Sequence, residues 1–123
     1  MLSYAHCTLC PRRCGVDRAR GQLGFCKMPG QIHAARAGVH YWEEPVISGS
    51  FGSGAVFFSG CTLRCAFCQN GVISQEGYGK PITPRRLREI FEELVEQGAA
   101  CLKVAGVSET VVRDVVFRVA VEV

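Results

Sequence analysis

Cysteine is the residue type whose number and spacing point to chemistry here. Eight occur in 123 residues, and seven fall in two tight groups. The central group, Cys61-Thr62-Leu63-Arg64-Cys65-Ala66-Phe67-Cys68, has the spacing C-x3-C-x2-C. Three thiolates this close in sequence can wrap one metal centre. A four-iron cube takes one ligand per iron, so three cysteines leave one iron open to a substrate or cofactor. The same open position separates catalytic from structural zinc sites. Spacing leaves three readings: an iron–sulfur cluster, a structural zinc completed by Cys101 or a histidine, and an unligated group of buried thiols. The x3 gap speaks for iron–sulfur, because zinc knuckles usually use C-x2-C pairs.

The N-terminal group, Cys7, Cys10, Cys14 and Cys26, reads C-x2-C-x3-C-x11-C. Four soft ligands close a site, which suits tetrahedral zinc or a second iron–sulfur cluster equally. Its expected role is structural or electron-relaying, with disulfides as the alternative in an oxidising compartment. Gly15, Gly21 and Gly24 allow tight backbone turns around it. His6, beside Cys7, is an alternative ligand; His33 and His40 are scattered.

The elements that must position these groups are legible in part. Residues 1–30 read as a Cys-rich metal-binding module with little periodicity, and residues 31–54 as a connecting segment. Ala55-Val56-Phe57-Phe58 predicts a short strand buried on both faces. A polar, Cys-rich loop follows from Gly60 to about Pro81. Thr83 as N-cap and Pro84 in the first helical position open a helix whose apolar face is Leu87, Ile90, Phe91, Leu94 and Val95. Gly98 fits the residue just past its end. Residues 100–104 predict a second strand, which makes 55–104 one βαβ unit with a right-handed crossover. The central cysteines then sit at the C-terminal end of the first strand, where α/β proteins place their chemistry. In residues 105–123, Val111, Val112, Val115, Val116 and Val119 would make a helical face capped by Ser108, whereas Val119, Val121 and Val123 alternate like a strand.

Composition removes several classes. The chain is 48% hydrophobic and 20% charged, which argues against disorder. No apolar run reaches the ~20 residues of a membrane helix. The first ten residues show no secretory pattern, so a reducing cytoplasm is the expected location. A net charge of +3 is too small to point to nucleic acid. Gly49, Gly52 and Gly54 precede a strand and read as a turn, not a dinucleotide loop. Arg85, Arg86 and Arg88 read as the wet face of the helix, pairing with Glu89, Glu92 and Glu93. Glu43-Glu44 read as solvated, and Arg64 as solvated or charge-balancing.

The Cys61–Cys68 loop, with the aromatic Phe67 before its last cysteine, resembles the signature of the radical S-adenosylmethionine (SAM) superfamily. The wider string is similar to one branch, the pyruvate formate-lyase activating enzyme-like proteins. That string comprises Trp42-Glu43-Glu44-Pro45, the Gly/Ser run, Phe57-Phe58-Ser59-Gly60-Cys61, Cys65-Ala66-Phe67-Cys68-Gln69-Asn70, and at the start Leu9-Cys10-Pro11-Arg12 and Gly24-Phe25-Cys26. The resemblance implies an enzyme, an oxidoreductase, in which Cys61, Cys65 and Cys68 ligate a [4Fe–4S] cluster. The open iron would chelate SAM, and Phe67 would lie near the adenine. Reductive cleavage of SAM would yield a 5′-deoxyadenosyl radical for hydrogen abstraction. Implied partners are an electron donor such as flavodoxin or ferredoxin and, as substrate, a glycyl radical enzyme. The contrasting expectation is a small zinc-binding scaffold or nucleic-acid module.

The implied fold is α/β: the N-terminal part of a partial (β/α)6 barrel, preceded by the small Cys-rich module. Such barrels are about twice this length or more. The pattern fades near Val104, which predicts a truncated or frame-disrupted copy with an atypical tail over 105–123.

Overall fold

The computed structural model describes residues 4–42, 45–99 and 101–107. It contains a mixed four-stranded sheet in the order β3-β1-β2-β4. The strands are β1 (Ile32–His40), β2 (Ser53–Cys61), β3 (Lys80–Ile82) and β4 (Cys101–Val107). Helix α1 (Pro45–Ser48) lies between β1 and β2, α2 (Gly71–Ser74) precedes β3, and α3 (Pro84–Glu96) joins β3 to β4. Residues 4–31 hold one regular element, a 3-10 turn over Arg18–Arg20. Among the described residues no helix is long and apolar enough to cross a membrane.

The parallel pair of the expected βαβ unit is present. β2 and β4 pair in register from Ser53↔Cys101 to Cys61↔Val107, with α3 in the connection. Both strands outrun their predicted bounds: β2 begins at Ser53, and β4 reaches Val107. β2 is buried at eight of nine positions, as a strand covered on both faces should be. A barrel is not among the described architecture.

The antiparallel half of the sheet departs from the reading of 31–54 as a connector. β1 pairs with β2 as a hairpin, from Ala34↔Phe58 to His40↔Ser53, with an irregularity between Ala34 and Arg36. Its sequence, IHAARAGVH, is rich in small and charged residues that favour strands weakly, so it carries no period-two signal. Its pairing with the strongly apolar β2 supplies what propensity does not. The loop expected from Gly60 to Pro81 likewise contains α2 and the short β3, whose Ile82 pairs with Ile32.

Helix α3 follows its sequence signals closely. The Thr83 side chain accepts from the Arg86 amide at 3.1 Å, and Pro84 occupies the first turn. Gly98 takes φ +86°, the left-handed ending that glycine permits. Leu87, Ile90 and Leu94 pack with Ile32, Val56 and Phe58 into the core, with Phe91 against them. Val95, expected on this face, is 56% exposed. It sits at the edge of the apolar stripe, one position beyond Leu94. On the wet face Arg85 pairs with Glu89 at 3.3 Å, and Arg86 with Glu89 and Glu93 at 3.2 and 2.6 Å. Glu43, Glu44 and residues 108–123 lie outside the described residues, as do the expectations placed on them.

Candidate metal centre

Cys61 is the last residue of β2, and Cys65 and Cys68 follow on the loop that leaves it. The register Cys61↔Val107 brings the C-terminal ends of β2 and β4 to the same edge of the sheet. Gly60 turns the chain there at φ +88°, and Arg64, at φ +56°, takes a left-handed conformation costly for a side chain. The reversal folds the loop back on its first cysteine. The amides of Leu63 and Arg64 donate to Cys61 Sγ at 3.3 and 3.5 Å. Cys68 Sγ lies 3.2 Å from Ser74 Oγ at the end of α2. Gln75 Nε2 donates to the Cys65 carbonyl at 2.6 Å, fastening the middle of the loop. Cys61 is buried, whereas Cys65 and Cys68 are half-buried. Phe67 is 91% exposed, so it is not a core residue of the described chain.

The N-terminal module packs against this loop. Arg12 Nε donates to the Thr62 carbonyl at 3.0 Å, and Arg64 Nη1 to the Phe25 carbonyl at 3.4 Å. The Arg12 and Arg64 guanidinium carbons lie 4.0 and 5.7 Å from the Phe25 ring centroid. A Cβ placed on Gly60 would collide with Met28 Cγ and lie 3.2 Å from the Cys26 carbonyl. The two cysteine groups, 35 positions apart between Cys26 and Cys61, thus meet across Phe25, Cys26 and Met28.

Within the module, Cys7 N donates to Val16 O at 3.0 Å and Gly15 N to Cys7 O at 2.9 Å, which sets Cys7 beside Cys14. Cys26 and Cys7 are buried, Cys10 and Cys14 half-buried. Arg18 is 4% exposed, and its Nη2 donates to Cys26 Sγ at 2.9 Å. Burial works against the Arg18 charge, but the sulfurs of Cys26 and Cys7 more than offset it and raise its pKa. Burial likewise pushes the Cys14 thiol up. Hydrogen bonds with the Val16 and Phe25 backbone and with Cys7, together with the Arg18 charge, leave it below the ordinary thiol value. His6 is exposed, its ring against Gly15.

The seven described cysteines are free. Among the described residues no three His, Cys, Asp or Glu side chains converge on one point, so ligation at either group requires side chains to turn inward. A cavity of about 550 Å³ lies between the module and the start of α3, walled by residues such as Tyr4, Ile32, Ile82 and Pro84. No residue of the Cys61–Cys68 loop lines it.

Sequence reasoning missed Arg18, which reads as one more surface charge in a D-R-A-R run. It also missed Ser74, Gln75 and the Arg12–Phe25 contact. None carries a spacing signal, since each acts through a partner distant in sequence or through backbone groups.

The family model described as radical SAM superfamily matches residues 55–122. The match therefore takes in most of β2, the cysteine loop, α3, β4 and most of the stretch set apart above as a tail. The chain belongs to the radical SAM superfamily. It is also 31% identical over 96 residues to an uncharacterized protein of Methanocaldococcus jannaschii, covering 72% of this chain and 27% of that relative. It thus spans about a quarter of the relative's length. No solved structure matches the chain. Membership implies a [4Fe–4S] cluster and SAM. The donor set on the loop fits that cluster: three free thiols, the first already accepting two backbone N–H groups.

Proposed function

We propose that this chain carries the cluster-binding part of a radical SAM oxidoreductase of the pyruvate formate-lyase activating enzyme-like branch. Cys61, Cys65 and Cys68 would hold the [4Fe–4S] cluster, leaving one iron for SAM. When bound, the pair supplies reductive cleavage of SAM to a 5′-deoxyadenosyl radical for hydrogen abstraction. The protein's part is geometry. The Leu63 and Arg64 amides steady the Cys61 thiolate, Ser74 steadies Cys68, and Gln75 holds the Cys65 backbone. Arg64 adds a positive charge to a loop that would bear three thiolates. Phe67, exposed between two ligands, is free to lie against the adenine. In this reading flavodoxin or ferredoxin donates the electron, and a glycyl radical enzyme supplies the hydrogen. The cytoplasm is the compartment.

The observation that carries the reading is three free thiols at the C-terminal end of β2, inside the matched region. Anaerobic reconstitution with iron and sulfide tests it. The expected result is a brown protein with four irons at the loop, lost in Cys61→Ser, Cys65→Ser and Cys68→Ser, and a changed electron paramagnetic resonance signal on adding SAM. Iron uptake indifferent to all three substitutions, or zinc in their place, overturns it in favour of a zinc-binding scaffold.

A further inference from the structure

Arg18 is a buried cation that pairs with no carboxylate among the described residues. Its side chain donates to a sulfur, Cys26 Sγ at 2.9 Å, and its Nε and Nη1 are buried with no hydrogen-bond partner among the described residues. The neighbouring acid, Asp17, is engaged elsewhere: it accepts from the Arg20 amide and pairs with the Arg20 side chain at 3.5 Å. A buried charge requires a buried counter-charge. The groups able to supply one here are the thiolates of the N-terminal cysteines.

Packing around those sulfurs is close. A Cβ on Gly24 would sit 2.7 Å from Cys14 Sγ and 3.4 Å from Arg18 Nη2. Arg13 and Lys27, directly before Cys14 and after Cys26, take left-handed φ of +42° and +58°. Non-glycine residues adopt such values when the surroundings demand it. Yet residues 4–31 contain one 3-10 turn and no strand or helix to make that demand. Segments so poor in regular structure are ordinarily held by disulfides or a metal, and these cysteines are free.

We propose that Cys7, Cys10, Cys14 and Cys26 bind a single zinc ion, with the buried guanidinium of Arg18 as its outer hydrogen-bond donor and counter-charge. Four thiolates around a divalent ion carry a net charge of −2, one unit of which Arg18 balances. Nuclearity follows from how the sulfurs gather. Arg18 Nη2 lies 2.9 Å from Cys26 Sγ, and a single Cβ on Gly24 would touch both that Nη2 and Cys14 Sγ, so two of the sulfurs gather round one guanidinium. Zn–S bonds of about 2.3 Å at the tetrahedral angle place sulfurs about 3.8 Å apart, close enough for one guanidinium to reach two of them. An iron–sulfur cube assigns each thiolate to its own iron and spreads them further. No three of these sulfurs converge in the described chain, so the set closes when the side chains turn inward together. The site stands independently of the cluster at Cys61–Cys68.

The test uses the whole chain with Cys61, Cys65 and Cys68 all changed to Ala, so that loop chemistry does not contribute. Expected are one zinc per chain and a zinc absorption spectrum showing four sulfur neighbours at about 2.3 Å. Arg18→Met is expected to weaken zinc retention against a competing chelator about 10–100-fold, as loss of an outer-sphere partner does, with Arg18→Lys between it and the parent. Circular dichroism of the zinc-loaded variants separates loss of affinity from loss of fold. A parent without zinc, zinc bound mainly by nitrogen or oxygen, or iron and sulfide at these four cysteines overturns the proposal. Equal zinc affinity in Arg18→Met, Arg18→Lys and the parent overturns the role of Arg18.

Discussion

The guanidinium of Arg12 rests on the ring of Phe25, 4.0 Å from its centroid, while its Nε reaches the Thr62 carbonyl. One side chain thereby ties two segments of the N-terminal module to the cysteine loop. Cation–π contacts contribute about 0.5–2 kcal/mol depending on exposure. Phe25→Ala is therefore expected to leave circular dichroism unchanged while speeding amide hydrogen exchange across residues 61–70. Unchanged exchange in that window would show that the loop is held from within.

Leu87 is fully buried in the core under β1 and β2. Leu87→Ala should lower unfolding free energy by about 2–5 kcal/mol, the range for a core leucine truncation. Val95→Ala, on the same helix but exposed, should change it by less than about 0.5 kcal/mol. Urea denaturation distinguishes them, and a large loss at Val95 would show that its side chain is packed against an apolar partner.

Gly60 has both a left-handed φ and no room for a side chain, with Met28 and the Cys26 carbonyl against it. Gly60→Ala is expected to destabilise the chain by about 1–3 kcal/mol through backbone strain and to reduce iron incorporation at Cys61. Gly71 has open space around its Cβ position, so Gly71→Ala serves as the tolerated control. Equal thermal melts for the two variants would contradict this.

Hydrogen bonds from Arg86 hold Glu93 below the usual carboxylate range. A depressed folded value means that the pair stabilises above the unfolded pKa of glutamate. Its contribution then fades as pH falls through the folded value. Both side chains are exposed, so the effect is small. Glu93→Gln should melt slightly lower than the parent at pH 7 and level with it in acid. A gap that widens in acid would assign Glu93 a different role.

What was legible in the sequence was what depends on near neighbours. Thr83, Pro84 and Gly98 marked the bounds of α3 because caps act within one turn. The spacing of Cys61, Cys65 and Cys68 marked the loop that leaves β2 because three thiols this close in sequence stand out without any tertiary partner. The apolar run of residues 55–58 marked a strand, since a chain covered on both faces has no polar positions to alternate.

Tertiary structure alone decided the rest, because those features rest on partners far apart in the chain. β1 is a strand through its pairing with β2, against its own weak propensity. Arg18, indistinguishable in sequence from its neighbours Arg13 and Arg20, is buried among sulfurs because the turns at Gly15, Gly21 and Gly24 close the module over it. That Phe25 and Met28 brace the loop at Gly60 depends on where the folded module comes to rest, and residue spacing holds no record of that.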